Sequence, residues 1–298
     1  MSRIINYTIP SQYENRTVEA FLKEQNVSHQ VLVNLKKTPN GITLNNHWAY
    51  TNEKLKTNDI LSINIVETST SSNIEAIDIK LDIVYEDEDI LIINKPSNMA
   101  IHPSMGNHDG TLANAVMYHF QSKKQEFVFR CVNRLDKDTT GLTIIAKHSL
   151  AAAILGKQKT NRQIHRTYLA ICEGKTKDFG TIDAPIARAE NSTIERCVDY
   201  NHGETAITNY TLVEYNSKLD LSLVKLRLET GRTHQIRVHM KHIGHPLIGD
   251  FLYNPNYINI SRQALHSHSL EFSHPITNKK MNLISNLPSD MKFISKNY

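Results

Sequence analysis

Asp136 is the residue whose surroundings speak most directly of chemistry. It lies in Asn133-Arg134-Leu135-Asp136-Lys137-Asp138-Thr139-Thr140-Gly141-Leu142. Around it runs a basic cluster of Arg130, Arg134, Lys137, Lys147, Lys157, Lys159, Arg162 and Arg166. An Asp beside Arg or Lys has its charged form favoured, so it stays an anion at neutral pH. An anion on a phosphate-binding face works against binding. Such a residue is there for chemistry or to orient an arginine. The alternative is a capped turn ahead of a strand over 142–146.

A second basic stretch carries His234, His239, His242 and His245 together with Arg232, Arg237 and Lys241, and no Asp or Glu stands between Gly231 and Gly249. Four histidines invite a metal, but a divalent cation would enter a field already positive. The stretch suits a polyanion better, with structural histidines as the plainer alternative. Several common chemistries lack their signatures. Gly174-Lys175-Thr176 ends like a phosphate loop, yet Leu169 stands where its first glycine belongs. No G-x-G-x-x-G, H-E-x-x-H or G-x-S-x-G occurs.

These residues need elements to hold them. The polar run Thr68-Ser69-Thr70-Ser71-Ser72-Asn73 reads as a linker that splits off an N-terminal unit. The division is 1–66, linker 67–78, and 79–298. In the first unit Val18, Phe21 and Leu22 share a helical face, and Ser28 caps a second helix bearing Val31, Leu32 and Leu35. Lys36 and Lys37 end that helix, Pro39-Asn40-Gly41 turns the chain, and short strands follow at 42–44 and around Leu61, Ile63 and Ile65. Beyond the linker, 82–85 and 90–93 read as a hairpin whose turn holds Glu86, Asp87, Glu88 and Asp89. That acidic run is expected to be a solvated turn rather than a metal site, because adjacent acids in a turn do not converge. Thr111 caps a helix with Leu112, Ala115, Val116 and His119 on one face, and Ser149 caps an Ala-rich one. Strands are expected at 127–132, 142–146 and 164–172. Helices and strands do not alternate strictly, which favours an α+β fold over a parallel wound sheet.

Composition agrees with a soluble globular chain. Its 298 residues suggest about two domains of roughly 150 residues. Lys plus Arg number 34 and Asp plus Glu 30, so the net charge is only +4. Cys131, Cys172 and Cys197 are widely spaced with no CxxC pair, which fits a reducing compartment and no structural zinc. No signal-like segment opens the chain, and no apolar run reaches the ~18 residues that span a bilayer. The expected location is the cytoplasm.

The motifs together resemble one family. Arg134-Leu135-Asp136-x-x-Thr139-Thr140-Gly141-Leu142 resembles the R-L-D-x-x-T-S-G-L signature of the RluA/RluD-type pseudouridine synthases. Asn94-Lys95-Pro96-Ser97-x-Met99-x-x-His102-Pro103 is similar to the family's N-K-P segment, and Arg166-Thr167-Tyr168-Leu169-Ala170 to its K-x-Y-x-A segment. A third motif runs from Thr230-Gly231-Arg232-Thr233-His234-Gln235-Ile236-Arg237 through Gly249-Asp250 to Tyr253, and Leu265-His266 with His274-Pro275 resembles the closing segment. The likeness covers about 79–298. Asn133, Thr140 and Arg166 stand where members usually have His, Ser and Lys. The N-terminal unit is similar to the small helix-helix-strand RNA-binding module, the αL motif, that many members carry.

The resemblance implies a mixed, mostly antiparallel central sheet flanked by helices. It implies isomerisation of uridine within RNA, without cofactor or metal: the ribose–base bond breaks, the uracil turns, and the ring rejoins through carbon five. Asp136 matches the nucleophile and Arg237 the arginine that pairs with it, here expected as a bidentate guanidinium. Tyr168 matches the tyrosine that stacks on the target base and acts in removing its carbon-five proton. Leu265 matches a leucine packed against the base, and Arg134 the arginine that fills the space of the flipped nucleotide. Leu135, Thr139, Arg232 and His234 belong to the same motifs and are expected to bind substrate. The partner is RNA, ribosomal RNA more than transfer RNA, and the chain is expected to act as a monomer. The competing readings are a non-catalytic RNA-binding or ribosome-assembly factor and a metal-dependent hydrolase built on the histidines.

Overall fold

A computed structural model describes residues 2–67, 69–104, 108–190, 192–256 and 260–294. The N-terminal unit holds β1 (Ser2–Thr8), α1 (Val18–Glu24), α2 (His29–Lys37), β2 (Ile42–Leu44), β3 (His47–Trp48) and β4 (Ile60–Val66). The side chain of Thr17 caps α1 by accepting from the Ala20 N–H, and Ser28 caps α2 by accepting from Val31. Both helices bury the faces that periodicity predicts, against the alternate residues Leu61, Ile63 and Ile65 of β4. Sequence reading missed the two-residue β3 and, of more consequence, β1. It pairs with the whole of β4, from Ser2 opposite Val66 to Thr8 opposite Ile60, in the sheet order β1-β4-β2-β3.

The rest of the chain adds β5 (Ile83–Glu86), β6 (Ile90–Lys95), α3 (Leu112–Ser122), β7 (Thr140–Ala146), α4 (Ser149–Thr160) and β8 (His165–Glu173). There follow β9 (Phe179–Asp183), β10 (Ile186–Arg188), β11 (Arg196–Val198), β12 (Ile207–Asn216), β13 (Leu221–Leu228), α5 (Gln235–His242), β14 (Leu265–Ser273) and β15 (Lys280–Ile284). Among the described residues a nine-stranded sheet runs β5-β6-β7-β14-β8-β13-β12-β9, with β15 on β14. Its pairings are antiparallel except β7 with β14, so the sheet is mixed and mostly antiparallel, as expected. The alternation of β6 shows how it is filled. Leu91 and Ile93 pack under α3, while Ile90 and Ile92 face Ala151 and Leu155 of α4. Every residue of β7 is buried, as befits a strand covered on both faces. Further along, Ile236 and Met240 of α5 cover Tyr168, Ala170 and Leu226.

Three expectations change here. First, 127–132 is no regular strand. Arg130 and Val132 bond to β7, but the Phe127 carbonyl accepts from Thr70 and Ser71, and the Phe129 N–H donates to the Ser71 hydroxyl. The expected linker is therefore fastened along this segment; its Thr68 lies outside the described residues. Second, α4 is capped by His148, whose Nδ1 accepts from Ala151, while the Ser149 N–H goes to Glu67. Third, the acidic turn is not a solvated one: of its four residues only Glu88 is exposed. Asp89, 2% exposed, accepts from Arg3 of β1 at 2.8 Å and from His148 Nε2 at 2.9 Å. Asp87 accepts from the Asp89 and Ile90 N–H groups and from His274 Nε2, each at 2.8 Å. The acids converge because β1 and the end of β14 bring partners to them from far along the chain. Arg3 supplies the countercharge where a metal ion would otherwise be invoked. This cluster, with Leu150 and Ile154 of α4 entering the N-terminal core, docks the two units together. Among the described residues no helix is long and apolar enough to cross a membrane.

Candidate active site

Asp136 sits on the irregular segment that leads into β7 and begins a turn there, its carbonyl accepting from the Thr139 N–H, and three devices hold that segment. Buried Asn133 donates to the Leu142 carbonyl and accepts from the Ile144 N–H at 2.8 Å, which ties the segment to β7. That is the role of the asparagine standing where histidine is usual. Fully buried Lys95 places its Nζ 2.7–2.9 Å from the carbonyl oxygens of Pro96, Met99 and Lys137, the last being the neighbour of Asp136. Burial pushes its ammonium down to about 7. Gly141 has φ +107°, and a Cβ there would stand 2.3 Å from the Ser267 carbonyl oxygen, so only glycine lets β7 meet β14.

Arg237 enters from α5, 2% exposed. Its Nη1 donates to Asp136 Oδ2 at 3.0 Å. The bidentate partner expected at Asp136 is instead Asp250, which accepts from Nε at 2.7 Å and Nη2 at 2.8 Å. A guanidinium can fork a carboxylate along its Nε/Nη2 side or its Nη1/Nη2 end; Asp250 takes the side, and Nη1 reaches Asp136 with a single bond. Burial works against the arginine's charge, but the two carboxylates more than offset it and hold its pKa above the ordinary value. Gly249 makes the turn that presents Asp250: its φ is +68°, and a Cβ would stand 2.1 Å from the Arg262 carbonyl oxygen. The Tyr253 ring lies 5.0 Å from the guanidinium carbon, a cation–π contact.

Tyr253 also holds His234. Its hydroxyl oxygen accepts from the Arg196 N–H at 2.9 Å and shares a hydrogen bond with His234 Nδ1, also 2.9 Å away. The other ring nitrogen, Nε2, lies 3.9 Å from Asp136 Oδ2. Burial lowers the pKa of His234, opposed by the Asp136 charge. The other histidines of the stretch part company. His239 is buried between Thr208 and the Ala184 carbonyl, His245 contacts the Glu173 carbonyl, and His242 is exposed beside Tyr200. None of these three joins a metal-ligating cluster among the described residues.

A cleft of about 380 Å³ brings the predicted residues together. Asp136, Tyr168 and Arg237 line it, and so do Arg134, Leu135, Thr139, Arg232, His234 and Leu265. Leu135, Tyr168 and Leu265 belong to one apolar cluster and form its floor. Sequence reasoning placed Lys159 and Arg166 only in a phosphate-facing basic run and gave no role to His102, which lines the cleft with them, or to Asp250 and Tyr253 behind it. All five lay in quoted motifs or runs, but spacing carried no sign of which faced inward. The first basic run is likewise divided. Lys147 bonds to Glu86 and Arg130 to Glu67, while Arg134, Lys159 and Arg166 face the cleft. A carboxylate aimed by a guanidinium over an apolar, aromatic floor, with cations at the rim, suits a flat neutral ring carried on a phosphate-bearing chain.

Known proteins resemble this chain in sequence and fold. The family model described as RNA pseudouridylate synthase matches residues 89–242. The chain is 38% identical over 281 residues to a Bacillus subtilis (strain 168) protein named as an uncharacterized RNA pseudouridine synthase, YjbO, covering 94% of this chain and 98% of that one. It is 40% identical over 253 residues to Ribosomal large subunit pseudouridine synthase D of Escherichia coli (strain K12), covering 80% and 76% of the two chains. Among solved structures, Human RNA Pseudouridylate Synthase Domain Containing 1 superposes with a TM-score of 0.59 at 27% identity, over 70% of this chain and 83% of that one.

Proposed function

The chain belongs to the RNA pseudouridylate synthase family, and from that premise we propose that Asp136 is the group that acts on the ribose of a uridine held in the cleft. The overall reaction is an isomerisation within RNA. The bond from ribose carbon one to uracil N1 breaks, the freed ring turns, carbon five bonds to the ribose carbon, and the proton from carbon five is replaced by one on N1. The observation that carries the assignment is the Asp136 carboxylate facing the cleft under the 3.0 Å bond from Arg237. Tyr168 and Leu265 supply an apolar bed for the uracil, and the Tyr168 phenol serves to remove the carbon-five proton. Arg134, exposed at the rim, takes the space vacated when the nucleotide leaves its stack, an extrusion that costs a few kcal/mol. Leu135, Thr139, Arg232 and His234 complete the substrate contacts.

Large-subunit ribosomal RNA is the favoured substrate, supported by relatives of that name at 40–41% identity. Residues 1–66 act as an RNA-binding module, with Lys36 and Lys37 exposed at the end of α2. The test is Asp136→Ala. It should abolish pseudouridine formation while the thermal melt and RNA binding persist. Pseudouridine maps of RNA from paired cells with wild-type or Asp136→Ala protein would name the uridine. Equal maps would leave only a non-catalytic RNA-binding role.

A further inference from the structure

Behind the rim of the cleft lies a second, open cavity of about 850 Å³. The two share Lys159, Arg166, Leu228, Gly231 and Arg232 as a common wall. They lie on opposite faces of the sheet. Arg227 on β13 is opposite Thr167 on β8 and Asn209 on β12, whereas the next residue pair, Leu226 with Tyr168, looks into the cleft side. Side chains alternate across a strand, so Arg227 and Tyr168 point away from each other. The cavities meet around the ends of β8 and β13, over Gly231. A Cβ at Gly231 would stand 3.0 Å from Arg166 Nη2, so the rim closes there on a guanidinium.

The second cavity is built of cations. Lys159 and Arg162 come from the end of α4, His165 and Arg166 from the start of β8, Arg227 from β13, and Arg232 from the loop before α5. Glu229 is the one acid among the lining residues. It accepts from Asn209 and stands 3.9 Å from Arg162, and Arg232 pairs with Glu204. Lys159 donates to the Val132 carbonyl at 2.9 Å, and partial burial together with the charges of Arg166 and Arg134 lowers its pKa. Cations gathered with so little countercharge suit a polyanion. Arg227 belongs to neither basic run of the sequence; only the pairing of β13 with β8 brings it here.

We infer that this cavity seats the phosphates of the RNA strand next to the nucleotide held in the cleft, so that the strand bends around the ends of β8 and β13. The inference rests on the reading that the cleft takes the target uridine. Shared walls make one continuous path for a single strand, which a separate small anion would not need.

The probe is a transcript spanning the uridine mapped in paired cells, with the full-length chain. The double variant Arg162→Gln/Arg227→Gln should bind it more weakly. The slope of log K against log salt should become shallower by about 1.4, at ~0.7 for each phosphate contact on a single strand. KM should rise while turnover at saturating RNA holds. Glu229→Gln, which removes the lining acid, should change Kd and KM the opposite way, a gain that misfolding cannot imitate. Wild-type slopes and affinities in both variants would overturn the inference, as would a double variant that loses turnover with KM unchanged. If Asp136→Ala formed pseudouridine at the wild-type rate while both seat variants shifted as stated, the reading of the cleft would fall and the phosphate seat would stand.

Discussion

Asp250 grips Arg237 through Nε and Nη2, at 2.7 and 2.8 Å, and so leaves Nη1 for Asp136 at 3.0 Å. The arginine is thus a rigid strut between a fully buried carboxylate and a partly exposed one. Substitution of Asp250 by Asn should leave a buried guanidinium short of a charge partner. Breaking a buried pair in this way costs about 3–5 kcal/mol. The prediction is a lowered melting temperature together with a fall in single-turnover rate larger than the rise in KM. Unchanged melting and turnover would show that Arg237 does not depend on Asp250.

Asp136→Ala should lower turnover by roughly 10³-fold or more, the scale seen when a nucleophile is removed. Circular dichroism should report an intact fold, because the side chain is 29% exposed and its loss leaves Asp250 to hold Arg237.

Tyr168→Phe keeps an aromatic floor and deletes the phenol. RNA affinity and KM should hold while turnover falls by about 10²–10⁴-fold, the usual contribution of a general base. Turnover equal to wild type would reduce Tyr168 to packing.

Tyr253→Phe removes the hydroxyl that bonds His234 Nδ1 and accepts from the Arg196 N–H. An unmet buried group costs about 1–3 kcal/mol. With His234 Nδ1 deprived of this partner, turnover should drop and its pH profile should move relative to wild type. A profile superposable on wild type would remove Tyr253 from any part in the chemistry.

Acid should loosen the junction between the two units. The carboxyls of Asp87 and Asp89 are held below their ordinary 3.8: burial would raise them, but bonds from His274 to Asp87, and from His148 and Arg3 to Asp89, outweigh it. Groups depressed on folding give stability that is full above the unfolded value and is lost as pH falls from about 4 toward the folded values. Urea unfolding between pH 7 and 3 should show that slope, and Asp87→Asn/Asp89→Asn should flatten it. A double variant with the wild-type slope would exclude the cluster as its source.

The parts of the fold that local rules govern were legible in the sequence. Thr111 and Ser28 cap the helices they were expected to cap, and Leu61, Ile63 and Ile65 alternate into the core. Where a rule met a competing partner it failed. His148 displaced Ser149 as a cap because its ring nitrogen reaches Ala151 while Glu67 takes the Ser149 N–H. Strand pairing at 127–129 gave way because the side chains of 70–71 take the Phe127 carbonyl and the Phe129 N–H.

By itself the sequence determined which residues are candidates for the chemistry: Asp136, Tyr168 and Arg237 sit in ordered motifs, and all three line one cleft. Caps, periodicity and motifs depend on residues a few positions apart, and these the chain carries in its order. The tertiary structure alone decided that Asp250 rather than Asp136 receives the arginine's fork, that Arg3 neutralises Asp89, and that Arg227 stands behind the cleft. Each of those contacts depends on the register of strands or the docking of a unit far away in sequence. A charge finds its partner only after the sheet has set the distance between them, and no spacing along the chain encodes that distance.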